Sequence, residues 1–178
     1  MLGRALTRAV DHEFFRWFHL VRYEAPRGLA DGATWHGFRP EGARFRDLVT
    51  VNLETDRAGV IADAKLCLDR AFIEHAKDGR FAGDITASFL RWVLPEAAQK
   101  ELGGFLQELG DLGPNVIRFK GLAGPLPQPS ALHRVYLGQD KDAGLDLTGL
   151  TLRLTNLQAR DGPRDPGHDW IWIRVARS

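Results

Sequence analysis

The sequence predicts an α+β fold: a mostly antiparallel β-sheet of about five to seven strands, packed by an N-terminal amphipathic helix and a central helical pair. Three observations carry that prediction. Polar and apolar residues alternate with period two in Leu48–Thr55, Thr151–Leu157 and Trp170–Val175, as in strands with one buried face. Apolar residues recur at helical spacing over Leu2–Tyr23 and again over residues 84–110. At 178 residues the chain has the size of one domain, so residues 1–178 are expected to share a single core.

At 100° per residue, Leu2, Leu6, Val10, Phe14, Trp17, Phe18, Leu20 and Val21 fall on one half of the first helix. Arg4, Arg8, Asp11, His12, Arg16, His19 and Arg22 fall on the other. Glu13 intrudes on the apolar half, Phe15 strays onto the polar one, and Pro26 and Gly28 end the helix. Residues 24–46 read as loop with a short strand around Thr34–Phe38, pinned by Trp35, Phe38 and Phe45. In Leu48–Thr55, Val49, Val51 and Leu53 alternate with Thr50, Asn52 and Glu54, and Asp56–Gly59 makes a turn.

The stretch from Val60 to His75 fits two patterns. As a strand it sets Ala62, Ala64, Leu66 and Leu68 against Asp63, Lys65, Cys67 and Asp69; as a helix it aligns Val60, Ala64, Leu68, Ala71 and Phe72. The short turn ending in Gly59 favours a hairpin strand over roughly 60–70.

Asp84 reads as the N-cap of a helix carrying Ile85, Phe89, Trp92 and Val93. Pro95 opens the next helix, which runs through Ala98, Leu102, Phe105, Leu106 and Leu109 to a stop at Gly110. Gly103 and Gly104 weaken it by about 1 kcal/mol each relative to Ala, so a kink or close packing is expected there. The C-terminal third reads as β-rich. Short strands are expected at Asn115–Lys120 and His133–Leu137, with an extended connection over 124–129. The strands Thr151–Leu157 and Trp170–Val175 follow, joined by the polar loop of residues 159–169.

The bulk numbers narrow the function classes. A composition of 44% hydrophobic and 26% charged residues is that of an ordinary globular chain. Twenty-four basic and 23 acidic side chains leave a net charge of +1, too little for a global field that attracts nucleic acid. No segment reaches the roughly 18 consecutive apolar residues of a membrane span. A lone cysteine, Cys67, forms no intramolecular disulfide, and the first residues lack the apolar run of a signal peptide, so a cytoplasmic location is expected.

Catalytic signatures are sparse. The phosphate-binding GxxxxGK[ST], the dinucleotide GxGxxG, GxSxG and HExxH are all absent, and no cofactor is expected. Ser88, Ser130 and Ser178 are the only serines, and none stands in a nucleophile motif. Cys67 sits beside Leu66 and Leu68 and reads as an inert buried thiol. The six histidines, at positions 12, 19, 36, 75, 133 and 168, contain no pair at the i,i+4 or i,i+2 spacing that places two imidazoles on one metal. His12 and His19 share a helical face but lie among Arg4, Arg8, Arg16 and Arg22. Asp161, Asp165 and Asp169 match no calcium-loop pattern and are interleaved with Arg160 and Arg164. No metal is expected.

Two surface-chemistry signals remain. The opening helix pairs a basic face with an aromatic one, a pattern that suits core packing, partner docking or a membrane surface. The breadth of its apolar arc favours the core, leaving Phe15 and Tyr23 as the rings available for other use. The second signal is the strand at Trp170–Val175. Alternation sets Trp170 and Trp172 opposite Ile171, Ile173 and Val175, and pairing with Thr151–Leu157 would put Arg153 and Arg174 beside the indoles. Trp170, Trp172, Arg153 and Arg174 are therefore the candidate ligand- or partner-binding residues. The leading reading is an interaction or small-ligand-binding module using this aromatic and arginine face or a cleft. The alternative is a small hydrolase or transferase whose site is assembled from His36, Asp84, His133 and His168.

Overall fold

The computed structural model describes residues 1–75, 78–111, 129–157 and 169–178. Its elements run α1 (Leu6–Val10), α2 (Glu13–Trp17), β1 (Leu20–Arg22), β2 (Arg27–Gly28), β3 (Thr34–Pro40), β4 (Val49–Thr55) and β5 (Ile61–Asp69). They continue with α3 (Arg70–Glu74), α4 (Gly79–Val93), α5 (Glu96–Glu101), α6 (Gly103–Asp111) and α7 (Ala131–Tyr136), then β6 (Asp142–Leu147), β7 (Leu150–Leu157) and β8 (Trp170–Arg177). The chain is α+β, and the eight strands among the described residues form one antiparallel sheet in the order β1-β3-β4-β5-β8-β7-β6, with β2 also pairing β3.

Period-two patterning decides which face is buried. Val49, Val51 and Leu53 on β4, Ala64, Leu66 and Leu68 on β5, Ile171, Ile173 and Val175 on β8, and Leu152 and Leu154 on β7 are all fully inside. Helices α3 and α4 pack on β5, and α7 on β6 and β7. Helix α4 carries Ile85, Phe89, Leu90 and Val93 into this layer and is held by α6 through a close approach at Gly83. A Cβ there would stand 2.7 Å from the Leu109 carbonyl oxygen. Gly83→Ala is therefore expected to destabilise. Better helix propensity offsets about 1 kcal/mol, overpacking against backbone costs more, and a net loss of about 1 to 2 kcal/mol should appear in urea denaturation.

Several expectations need correction. Residues 2–23 do not form one helix. His12 leaves helical geometry, and its Nδ1 accepts the Phe14 N–H at 3.2 Å as the N-cap of α2. His19, at a φ of 47°, then turns the chain into β1. The aromatic run still belongs to the interior. Phe14 stacks on Trp92 with centroids 5.1 Å apart and 15° between planes, and Phe15 meets Phe38 and Trp92 edge-on. Phe18 reaches Phe81, which stacks on Phe45. Phe15 is thus buried rather than left over, and Trp17, placed by helical projection on the apolar side, is 67% exposed.

Both patterns in Val60–His75 are realised in turn. The strand β5 ends at Asp69, whose carboxylate accepts the Ala71 N–H and starts α3 at once. Asp84 is not an N-cap; α4 begins at Gly79 and Asp84 is exposed within it, with Ala82 buried and Phe81 packed on Phe45 in the turn before it. The helix opened at Pro95 is two helices, α5 and α6, meeting at Leu102–Gly103. His133–Leu137 is not a strand. Ser130 caps α7, and Leu132, Val135 and Tyr136 recur at helical spacing and are buried. The strand β6 was not expected. The expected strand Asn115–Lys120, residues 124–128 of the extended connection, and Asp161, Asp165 and His168 lie outside the described residues.

Candidate functional site

Cross-strand register fixes what stands together on the sheet face turned away from the buried core. Thr50, Cys67, Trp172, Thr155 and Asp142 form one row across β4, β5, β8, β7 and β6. The next row is Gly37, Asn52, Lys65, Arg174, Arg153 and Gly144, from β3 to β6. A third holds Trp35, Glu54, Asp63, Ala176, Thr151 and Asp146. Strand β5 reaches this register through a bulge that sets Glu54 opposite Asp63 but Thr55 opposite Ile61, leaving Ala62 unpaired.

The face is aromatic and cationic. Arg27 lies over the Trp35 ring at 4.3 Å, Arg39 over Tyr23 at 5.3 Å, and Lys65 over Trp172 at 4.5 Å. Trp35 and Tyr23 meet edge-on above Gly37, where any Cβ would overlap both rings. Trp170 and Trp172 are half-buried on the side opposite Ile171 and Ile173. The four candidate residues share this face, and among the described residues the cation over Trp172 is Lys65. Arg174 donates from Nε and Nη2 to the Asp63 carboxylate at 2.5 Å. The exposed Arg153 runs past Gly144 and has no ion pair with any described carboxylate. Lys65, Trp35 and Arg39 are additions to the sequence-derived set, and Tyr23, read from sequence as a ring available for other use, stands beside them. Alternation in β5 already placed Lys65 on the polar side, and cross-strand register adds its neighbours.

Cys67 belongs to this face without being available on it. It is buried opposite Trp172, the Asn52 amide lies 3.6 Å from its sulfur, and burial pushes the thiol pKa up to about 11, so it is protonated and a poor nucleophile at neutral pH.

Of the dispersed set, His168 lies outside the described residues, and His36 and His133 are not brought together. His36 is on β3, whereas α7, which carries His133, packs on β6 and β7. Strand β3 stands four positions from β7 in the sheet, about 19 Å at the usual strand spacing. His36 and His133 have separate roles. Because a guanidinium only donates, Arg22 Nη1 at 3.0 Å makes His36 Nδ1 the acceptor. The proton therefore sits on Nε2, which donates to Thr55 Oγ1 at 3.1 Å. Burial and then Arg22 hold its pKa below the ordinary histidine value. Ser130, the N-cap of α7, donates its hydroxyl to Glu108 Oε2 at 2.6 Å and its N–H to Oε1 at 2.9 Å. Its Oγ accepts the His133 N–H at 3.1 Å, and the His133 ring has Nδ1 3.4 Å from the same carboxylate. A hydroxyl whose proton goes to a carboxylate rather than to the imidazole is a structural clamp rather than an activated nucleophile.

Among the described residues no group of three or more His, Cys, Asp and Glu side chains is arranged to hold a metal ion, and no helix is long and apolar enough to cross a membrane. Compared with known proteins, the chain is matched by no protein-family model, no curated protein and no solved structure.

Proposed function

We propose that the protein is an interaction module whose aromatic and cationic sheet face receives an acidic surface of a partner protein. The observation that carries this reading is the row Lys65, Arg174, Arg153, three cations in direct register on adjacent strands, beside the half-buried rings of Trp172 and Trp170. Like charges opposite one another destabilise a sheet, and among the described carboxylates only Asp63 answers the row, at its middle member. An anionic surface laid across the row relieves that repulsion. Tryptophan and arginine are also the residues that dominate binding energy at protein interfaces.

The shape supports a protein rather than a small molecule. Seven strands side by side span about 29 Å, a breadth suited to a standard interface. The hollow beside Gly144 and Arg153 is about 260 Å³, below the roughly 300–1,000 Å³ usual for small-molecule sites.

The test is crosslinked capture from host extract with wild-type protein and with Arg153→Glu and Trp172→Ala. A partner retained by the wild type should be lost by both variants. Arg153→Glu should leave the melting temperature nearly unchanged, and Trp172→Ala should lower stability by about 1 to 2 kcal/mol, as suits a half-buried ring. Capture that is indifferent to both substitutions defeats the proposal, as does a Trp172→Ala loss of about 3 to 5 kcal/mol without any effect on capture, which would make the ring core.

A further inference from the structure

A second place on the molecule has chemistry of its own, independent of the sheet face. Where the C-terminus of α4 meets the first residues of the chain, the β6–β7 turn and the end of β8, there is a cleft of about 480 Å³. Its polar lining includes Arg4, His12, Arg91, Thr148 and Arg177, and no carboxylate side chain is among the described residues that line it. None of the three guanidiniums forms an ion pair with a described carboxylate. Leu2, Leu94 and Pro95 supply an apolar wall.

The helix end alone does not account for three cations. A helix C-terminus carries the equivalent of about half a negative charge, and the α4 carbonyls already have partners. The Gln99 amide donates to Arg91 O and Leu94 O, and the Met1 amino group to Trp92 O and Val93 O. Trp92 also lines the cleft, but its ring packs among Phe14, Phe15 and Phe89 and is 3% exposed, so the positive lining rests on the arginines. His12 contributes one more donor, because Nδ1 accepts the Phe14 N–H and the proton of the neutral ring therefore sits on Nε2.

We infer that this cleft binds a phosphate monoester, with the doubly charged oxyanion among Arg4, Arg91 and Arg177 and an apolar body against Leu94, Pro95 and Trp92. Planar guanidiniums match phosphate oxygens with two parallel N–H donors each, and the excess positive charge calls for a dianion rather than a single carboxylate. The volume suits a small organic molecule.

The probe is phenyl phosphate, titrated calorimetrically at physiological salt, with inorganic phosphate and phenol as its separate halves. Saturable binding of one phenyl phosphate per chain is expected, tighter than inorganic phosphate, with none for phenol. Arg91→Ala and Arg177→Ala should each weaken it about tenfold or more, as suits loss of a charge-assisted pair. Arg153→Ala, on the sheet face, should leave it unchanged. All three arginines are exposed, so the variants are expected to fold, which their melting curves check. The inference is overturned by absence of saturation or by equal loss in Arg153→Ala. Co-sedimentation with phosphatidylcholine vesicles doped with phosphatidate, without uptake of phenyl phosphate, would also overturn it and assign the arginines to a lipid surface.

Discussion

Replacing Phe14 with alanine is expected to lower folding stability by about 3 to 5 kcal/mol, read as a fall in the urea midpoint without a change in slope. Phe14 is 2% exposed and lies on a five-residue helix too short to persist alone. What holds that helix is its aromatic face, since the Phe14 ring contacts Phe15, Phe18, Phe89 and Trp92. Removing the ring leaves a cavity and deletes aromatic pairs worth roughly 0.5 to 1.5 kcal/mol each beyond area burial. Trp17→Ala is the control: its ring, on the same helix, is 67% exposed, and a change within about 0.5 kcal/mol is expected. Equal and small effects at the two positions would show that the N-terminal segment is an appendage rather than part of the core.

The strands were legible where β-branched or aromatic residues coincide with period two, as in β4, β7 and β8. The strand β6 has the same alternation, with Asp142, Gly144 and Asp146 against Ala143, Leu145 and Leu147. Asp and Gly rank low in strand propensity, and that hid an edge strand whose outward charges also discourage pairing with other chains. The helical segments misled for a different reason. A 22-residue projection cannot register a break made by a histidine cap at His12 and a left-handed His19, because residues from α1, α2 and β1 can all contribute to one apolar arc. At α7 the window His133–Leu137 was too short, and beginning at Ser130 would have exposed both the cap and the spacing of Leu132, Val135 and Tyr136.

Of the candidate face, alternation was enough to set Trp170 and Trp172 apart from Ile171 and Ile173. It could not supply Lys65 as the cation on Trp172, because that pairing depends on which strand lies beside β8 and on the bulge at Ala62 that sets the register of β5. The arginine cleft was out of reach from sequence altogether. Arg4, Arg91 and Arg177 are far apart along the chain, and only the return of β8 to the β6–β7 turn and the docking of the first residues against α4 bring them together.

Substituting Glu108 with alanine is expected to cost about 2 to 3 kcal/mol, the range for hydrogen bonds to a charged group when a buried donor is left behind. Glu108 joins α6 to α7 by accepting both the N–H and the hydroxyl of Ser130, and Ser130 in turn caps the His133 N–H. Without the carboxylate, the cap loses the group that orients it, and the buried His133 ring loses a charged neighbour. Glu108→Gln, which retains an acceptor for the Ser130 N–H, should lose less. The pH dependence separates this clamp from simple packing. Burial lowers the His133 pKa, and Glu108 raises it in part. The folded state therefore binds fewer protons than the unfolded state below the ordinary histidine pKa, so stability is full above about pH 6.5 and falls as pH drops through the folded value. Removing Glu108 takes away the opposing influence and moves the folded value further down. The Glu108→Ala protein should thus lose additional stability, relative to wild type, between neutral pH and about pH 5, beyond its loss at pH 8, and His133→Gln in the same background should abolish that extra acid sensitivity. A Glu108→Ala penalty that is the same at every pH would mean that the carboxylate serves Ser130 alone and that His133 does not sense it.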